Sequence, residues 1–205
     1  MSAPTVKAPW PLARCAQAAV AAAVAADVHR AVTARAHLLH PRDTPLSESG
    51  RASMVYVYLM TAAVVLFLVW FARCRRNAEL LSPGTVRGSA VWAVLAWLIP
   101  VVNLWVPRGL LLDVQRASGP GTPGRRDRVL VNAWWATWVG HALVVPVGTR
   151  LGQGTSLVLL LVAEALHLAA GALAIAVIQR ITARQATALT ATLPVPGAVD
   201  LPRLS

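Results

Sequence analysis

Acidic residues are scarce in this chain of 205 residues: 8 Asp and Glu stand against 19 Lys and Arg, for a formal net charge of +11. Charged residues of both signs make up only 13%, about half the roughly 25% usual in soluble domains. That deficit argues against a soluble domain. Lysine is almost missing, since Lys7 is the only one among the 19 basic residues. Together with the many alanines this fits the codon bias of a GC-rich bacterial genome. Cysteine occurs twice, at Cys15 and Cys74, without metal-ligand spacing, which argues against a disulfide framework and a cysteine metal site. Catalytic signatures are absent too. There is no Gly-x-Ser-x-Gly, His-Glu-x-x-His or phosphate loop. Ser156 has no base nearby, and Gly152-Gln-Gly154 reads as a turn. The expectation is a protein that is not an enzyme and uses no cofactor. No internal repeat of useful period is found.

What the chain does have is apolar runs edged by arginine. Hydrophobic residues make up 57%. The arginines sit at the ends of apolar runs, not along one amphipathic face, so they read as topology signals and not as a nucleic-acid surface. Four segments are expected to span the membrane as helices. The first is Leu12 to Val32, marginal because its core is mostly alanine. The second is Met54 to Phe71, eighteen residues without a charge, or about 27 Å of helix against a hydrocarbon core of about 30 Å. The remaining two are Val129 to Val147 and Thr155 to Ile178. Lys7 and Arg14 precede the alanine-rich core of the first segment, which reads as a retained helix and not a cleaved signal.

A fifth membrane segment, Ser89 to Val106, is of another kind. Arginines flank it on both sides, Pro100 breaks it, and Pro107 closes it. Residues 72 to 88 hold four arginines and one glutamate, and residues 107 to 128 hold five arginines and two aspartates. Both flanks therefore read as cytoplasmic, as do both termini. Two threadings follow. In one, segment 89–107 is re-entrant, with Ser89 to Ile99 as a half-span helix and Pro100 to Val106 as an extended return. In the other it is a proline-kinked full span. Pro107 suits the start of a new helix. Residues Arg108 to Ser118 then read as a short amphipathic surface helix, with Leu110, Leu111, Val114 and Ala117 on one side and Arg108, Asp113 and Arg116 on the other. Trp92 and Trp105 are expected near the same interface. The fold class is thus all-α: a polytopic helical membrane protein with four transmembrane helices, the broken segment and the surface helix. Residues 1–11 are expected as an N-terminal tail, 12–186 as the membrane domain, and 187–205 as a flexible C-terminal tail.

Four stretches carry a resemblance. Phe67 to Ala78 is similar to the "FLxWLYRAxRNA" stretch of a bacterial family known as domain of unknown function 4328. Trp97 to Pro107, with Trp97, Pro100, Asn103, Trp105 and Pro107, resembles its "WFxPxxNLWxP" signature. Leu112 to Ser118 resembles its "RELWRAS" segment, and Arg180 to Gln185 its closing "RRIT-x-RQ". Cys74 stands where the family often has an aromatic or small residue, and Gly109 where it has a larger one. The resemblance implies a multi-span membrane protein and no established activity.

Several residues are candidates for chemistry. Glu164 and His167 stand three apart and share a helix face, as in half of a di-iron site. His141, His29 and Asp27 are the nearest further ligands, too few for a convincing metal centre. A hydrogen bond that holds helices together is the plainer expectation, with His167, His141 or Asn132 as the partner of Glu164. Asn103 is expected to satisfy backbone groups freed by Pro100. Asn77 and Glu79 are expected beside Arg87 or Arg108. Arg73, Arg75, Arg76, Arg108 and Arg116 are candidates for anionic-lipid or partner contact. Two function classes remain. One is an interaction, scaffold or lipid-contacting protein of the bacterial cytoplasmic membrane, its partners being lipids, a second copy or another membrane protein. The other is a small-solute or ion permease using segment 89–107 and Glu164.

Overall fold

The computed structural model describes residues 7–39, 46–119, 124–152 and 156–191. The expected loop at 119–124, the hairpin at 148–154 and both tails fall partly outside the described residues. Among those described there is no strand. The helices are α1 (Trp10–Leu39), α2 (Leu46–Leu81), α3 (Ala90–Leu95), α4 (Val106–Ala117), α5 (Arg125–Arg150) and α6 (Leu157–Ala191), with a 3₁₀ turn at Val102–Leu104. Helices α1, α2, α5 and α6 are long and apolar enough to cross a membrane. α6 continues to Ala191, into the first residues of the expected tail.

α1, α2 and α6 run past the C-terminal ends of their apolar cores because neither proline nor glycine intervenes there. α2 carries on past Phe71 through the arginines and ends only at Ser82-Pro83, where proline disfavours a helical predecessor. The linker then turns at Gly84 and Gly88, whose φ values of +76° and +78° lie in the left-handed region. α1 packs against α2 and α6, and α5 packs against α6. Small residues permit the close approach. A Cβ added at Gly171 of α6 would lie 2.4 Å from Val24 Cγ2 of α1.

Within segment 89–107 the regular helix is shorter than the expected Ser89 to Ile99. α3 has six residues, about 9 Å of helix, which is neither a half-span nor a full span. The Ser89 hydroxyl starts it by accepting from the Trp92 N–H at 3.1 Å. After Leu95 the ladder tightens, with Trp97 N–H to Val94 C=O at 3.1 Å and Leu98 N–H to Leu95 C=O at 2.9 Å. Around Pro100 the chain coils and does not extend, and Asn103 N–H reaches Ile99 C=O at 2.8 Å. The reason is backbone accounting. A lone extended return strand would leave its peptide groups unpaired, at several kcal/mol each in an apolar layer. Pro107 falls in the first turn of α4, as its missing N–H favours. On α4 the expected face of Leu110, Leu111, Val114 and Ala117 is buried, but so are Asp113 and Gln115. Asp113 is therefore not on an outer polar side. It is 5% exposed and faces inward, with Arg116 at 2.9 Å and Arg87 at 3.6 Å.

Candidate functional site

Three layers follow one another along the bundle. The first is the arginine-rich end, where polar side chains interlock four helices. Gln185 of α6 donates to Cys74 C=O of α2 at 2.7 Å and lies 2.9 Å from Ser118 Oγ beyond α4. Asn77 donates to Gln185 Oε1 at 3.3 Å and to Lys7 C=O at 3.3 Å. Trp70 Nε1 donates to Thr182 Oγ1 at 3.0 Å, and Gln115 to Asp127 C=O at 3.2 Å. Asp127 at the start of α5 binds Arg180 at 3.0 Å and Arg184 at 3.1 Å. The stretches Phe67 to Ala78, Leu112 to Ser118 and Arg180 to Gln185 meet in this layer. The linker before α3 returns here too, since Arg75 donates to the carbonyls of Arg87 (2.9 Å) and Gly88. Segment 89–107 thus leaves and rejoins the bundle at one end.

The expected lipid-contact arginines divide by environment. Arg75 is buried and spent on the linker carbonyls. Arg108 donates to Asn132 Oδ1 at 2.7 Å and lies 5.9 Å over the Trp135 ring. Arg116 is exposed beside Asp113, and Arg73 and Arg76 are exposed. Arg87, expected to pair with Asn77 or Glu79, pairs instead with Asp113, and Glu79 accepts from Gly84 N–H at 3.0 Å. An open surface groove of about 360 Å³ runs between α4 and the linker. Arg87, Arg116, Trp92 and Trp105 line it, with Asp113 at its base. Trp92 and Trp105 are 42% and 61% exposed, so both indoles are free to meet whatever surrounds this end.

The middle layer is aromatic. Phe67 packs on Trp97 at 5.0 Å and on Trp134 at 6.1 Å between ring centroids, and Phe71 on Trp97 at 5.5 Å. Trp97 is thereby a wedge from the broken segment into the bundle. Next to it lies a cavity of about 150 Å³ lined by α1, α2, α5, α6, Trp97 and Asn103. Asn103 does not cap the freed backbone. Its Oδ1 is buried with no hydrogen-bond partner.

The third layer is a polar cluster. Asp27 is fully buried and takes Arg30 Nε at 2.7 Å, and His167 Nε2 stands 3.6 Å from its second oxygen. Arg30 also lies 5.0 Å over the Tyr56 ring. The His141 and His167 rings are 4.6 Å apart, and His141 Nδ1 lies 3.0 Å from Ala163 C=O. Glu164 takes none of its three expected partners. His167 faces Asp27, His141 faces a carbonyl, Asn132 is held by Arg108, and Glu164 Oε2 is buried without a bond. His29 is exposed. Among the described residues no three His, Cys, Asp or Glu side chains come together as metal ligands. Spacing on a helix places Glu164 and His167 on one face but cannot show that α1 supplies Asp27. Thirteen residues separate Arg14 from Asp27 and Arg180 from His167, about 20 Å of helix rise. The cluster therefore lies well toward the opposite end of the bundle.

Among the described residues, four helices long and apolar enough to cross a membrane, with a broken segment beside them, form the architecture of a polytopic helical membrane protein. A family profile described as "Domain of unknown function (DUF4328)" matches residues 47–183, and the chain belongs to that family. No curated protein and no solved structure matches the chain.

Proposed function

We propose that this is a lipid-contacting interaction protein of the bacterial cytoplasmic membrane, with its arginine-rich end in the cytoplasm and anionic phospholipid headgroups in the groove between α4 and the linker. The observation that carries the reading is the groove itself, in which Arg87 and Arg116 stand beside two exposed tryptophans. Arginine supplies paired donors to phosphate, and indole rings favour the headgroup level. Asp113 keeps the two guanidiniums in place and leaves the group one positive charge in excess. Exposed Arg73, Arg76, Arg125, Arg126 and Arg128 surround the same end, where an anionic leaflet attracts basic residues by about 1 kcal/mol each. The test is native mass spectrometry of the protein released from nanodiscs of mixed phosphatidylglycerol and phosphatidylcholine. The intact protein should retain phosphatidylglycerol preferentially, and the Arg87→Gln/Arg116→Gln variant should lose most of that preference. Unchanged retention in the double variant would contradict the reading.

One observation favours the permease reading as second: Glu164 Oε2 is buried and unbonded beside the Asp27–His167 cluster. An intramembrane ionisable group is a marker of ion or proton passage. Proton-coupled uptake into liposomes that Glu164→Gln abolishes without unfolding the protein would place this reading first.

A further inference from the structure

We propose that Asp113 sets which headgroup the groove between α4 and the linker accepts: one phosphodiester carrying a single negative charge, in preference to a phosphomonoester dianion. This role rests on the lipid-contacting reading of the same groove. Asp113 lies at the base, its side chain 7% exposed, while the side chains of Arg87 and Arg116 beside it are 79% and 45% exposed. A headgroup therefore meets the two guanidiniums first and feels the carboxylate beneath them. A lipid anion gains nothing from a carboxylate at the base of its own site. A repulsive group in that position is how a site discriminates between related ligands.

The donors fit a diester. Asp113 Oδ1 takes Arg116 Nη1 at 2.9 Å, and Oδ2 faces Arg87 Nε at 3.6 Å. Arginine carries several N–H donors in a fixed fork, so each guanidinium keeps donors for a second acceptor. A phosphodiester has two non-ester oxygens, one for each guanidinium. A phosphomonoester has three, and the third meets no further cation among the described lining residues, only the field of Asp113. Arg75 is turned away, to the carbonyls of Arg87 and Gly88. Both carboxylate oxygens already face guanidiniums, which leaves the ammonium of a zwitterionic headgroup without a counter-ion.

The net charge fits a diester as well. Arg75, Arg87 and Arg116 stand against Asp113 and Glu79, since Arg75 lies in the field of both carboxylates. One positive charge is left over, and one phosphodiester neutralises it. For a dianion the attraction doubles, but the cost of removing its water grows as the square of the charge, as in Born solvation. Val106, Leu110 and the two indoles line the groove, so part of that water is lost on entry. Without the Asp113 charge the group would carry two positive charges, and the dianion would become the better ligand.

The experiment is native mass spectrometry of the full chain, released at about pH 8 from phosphatidylcholine nanodiscs that hold equal amounts of phosphatidylglycerol, phosphatidic acid and phosphatidylethanolamine. There the phosphomonoester of phosphatidic acid, with a second pKa of about 6, is close to a dianion. The unaltered protein should retain phosphatidylglycerol over phosphatidic acid by about threefold, and Asp113→Asn should shift that ratio about tenfold toward phosphatidic acid. Asp113→Glu, which keeps the charge, should leave the ratio where it was. A ratio that Asp113→Asn does not move would overturn the proposal. So would preferred retention of phosphatidic acid or phosphatidylethanolamine by the unaltered protein. Arg87→Gln/Arg116→Gln separates the two readings. If that variant keeps the phosphatidylglycerol preference, the groove reading itself fails. If it loses the preference while Asp113→Asn leaves the ratio alone, only the role of Asp113 falls. Should Asp113→Asn fail to fold, the order of retention in the unaltered protein still decides.

Discussion

Asp127 shows how single buried polar residues join this bundle. Its carboxylate collects Arg180 and Arg184 from α6 while its own side chain is 9% exposed. Arg180 is more than half exposed, which weakens its share of the pair. Removing a buried partner costs more than an exposed one, so Asp127→Ala is expected to lower stability by about 1–3 kcal/mol, read from denaturant unfolding in micelles. A change within about 0.5 kcal/mol would show the pairs to be idle surface contacts. Trp70→Phe is a smaller perturbation. It removes one donor to Thr182, whose hydroxyl keeps its own bond to Ile178 C=O. About 1 kcal/mol is the expected loss, and the same unfolding assay should rank it below Asp127→Ala. Such residues are poorly legible in sequence. Thr182 and Gln185 stand in an apolar helix with nothing to mark their partners on α2, and Asp27 gives no sign that it will face His167. Arg73, Arg75 and Arg76 read alike as topology signals, yet Arg75 turns inward to hold the linker.

Among the elements, α1 and α6 meet through Gly171, and this contact sets a sharp contrast between glycines. A methyl at Gly171 would strike Val24 Cγ2 at 2.4 Å, whereas one at Gly140 would meet Leu166 at an ordinary 3.5 Å. Gly171→Ala should cost about 1–3 kcal/mol by pushing the helices apart. Gly140→Ala should be neutral or slightly stabilising, since alanine is the better helix former. Comparable thermal stability of the two in detergent would refute the close approach. Pro100 and Pro146 make a second pair. Pro100 sits in the turn between Trp97 and Asn103, and Pro146 lies near the end of α5, its break tolerated within the last turns. Pro100→Leu should therefore lower expression and stability more than Pro146→Leu, and equal effects would count against the turn's role. The four long helices were legible from hydropathy and charge. The course of residues 96–105 was not. Proline announces a break, but whether the chain then extends or coils depends on where its peptide groups find partners, and here they find them three and four residues back.

At the scale of the whole molecule, the described residues form a bundle of four helices long and apolar enough to cross a membrane, with a broken segment that leaves and rejoins it at one end. Geometry ties both flanks of that segment together: Arg75 holds the carbonyls of Arg87 and Gly88, and Ser118 meets Gln185. The charge pattern had already pointed to a common side, through the arginines at both flanks. The far end differs, since Arg150 closes α5 beyond the histidine cluster. Sidedness in the membrane is therefore the property on which the proposed lipid groove and the placement of Glu164 both depend. It is tested most directly by cysteine accessibility in intact cells, in a background where Cys15 and Cys74 are replaced by serine and alanine. Single cysteines go at Thr85, Arg126 and Arg150, all exposed. The account expects Thr85→Cys and Arg126→Cys to be shielded from a membrane-impermeant maleimide until the membrane is permeabilised, and Arg150→Cys to react at once. Opposite accessibility of positions 85 and 126 would contradict it, because segment 89–107 would then have to cross the membrane.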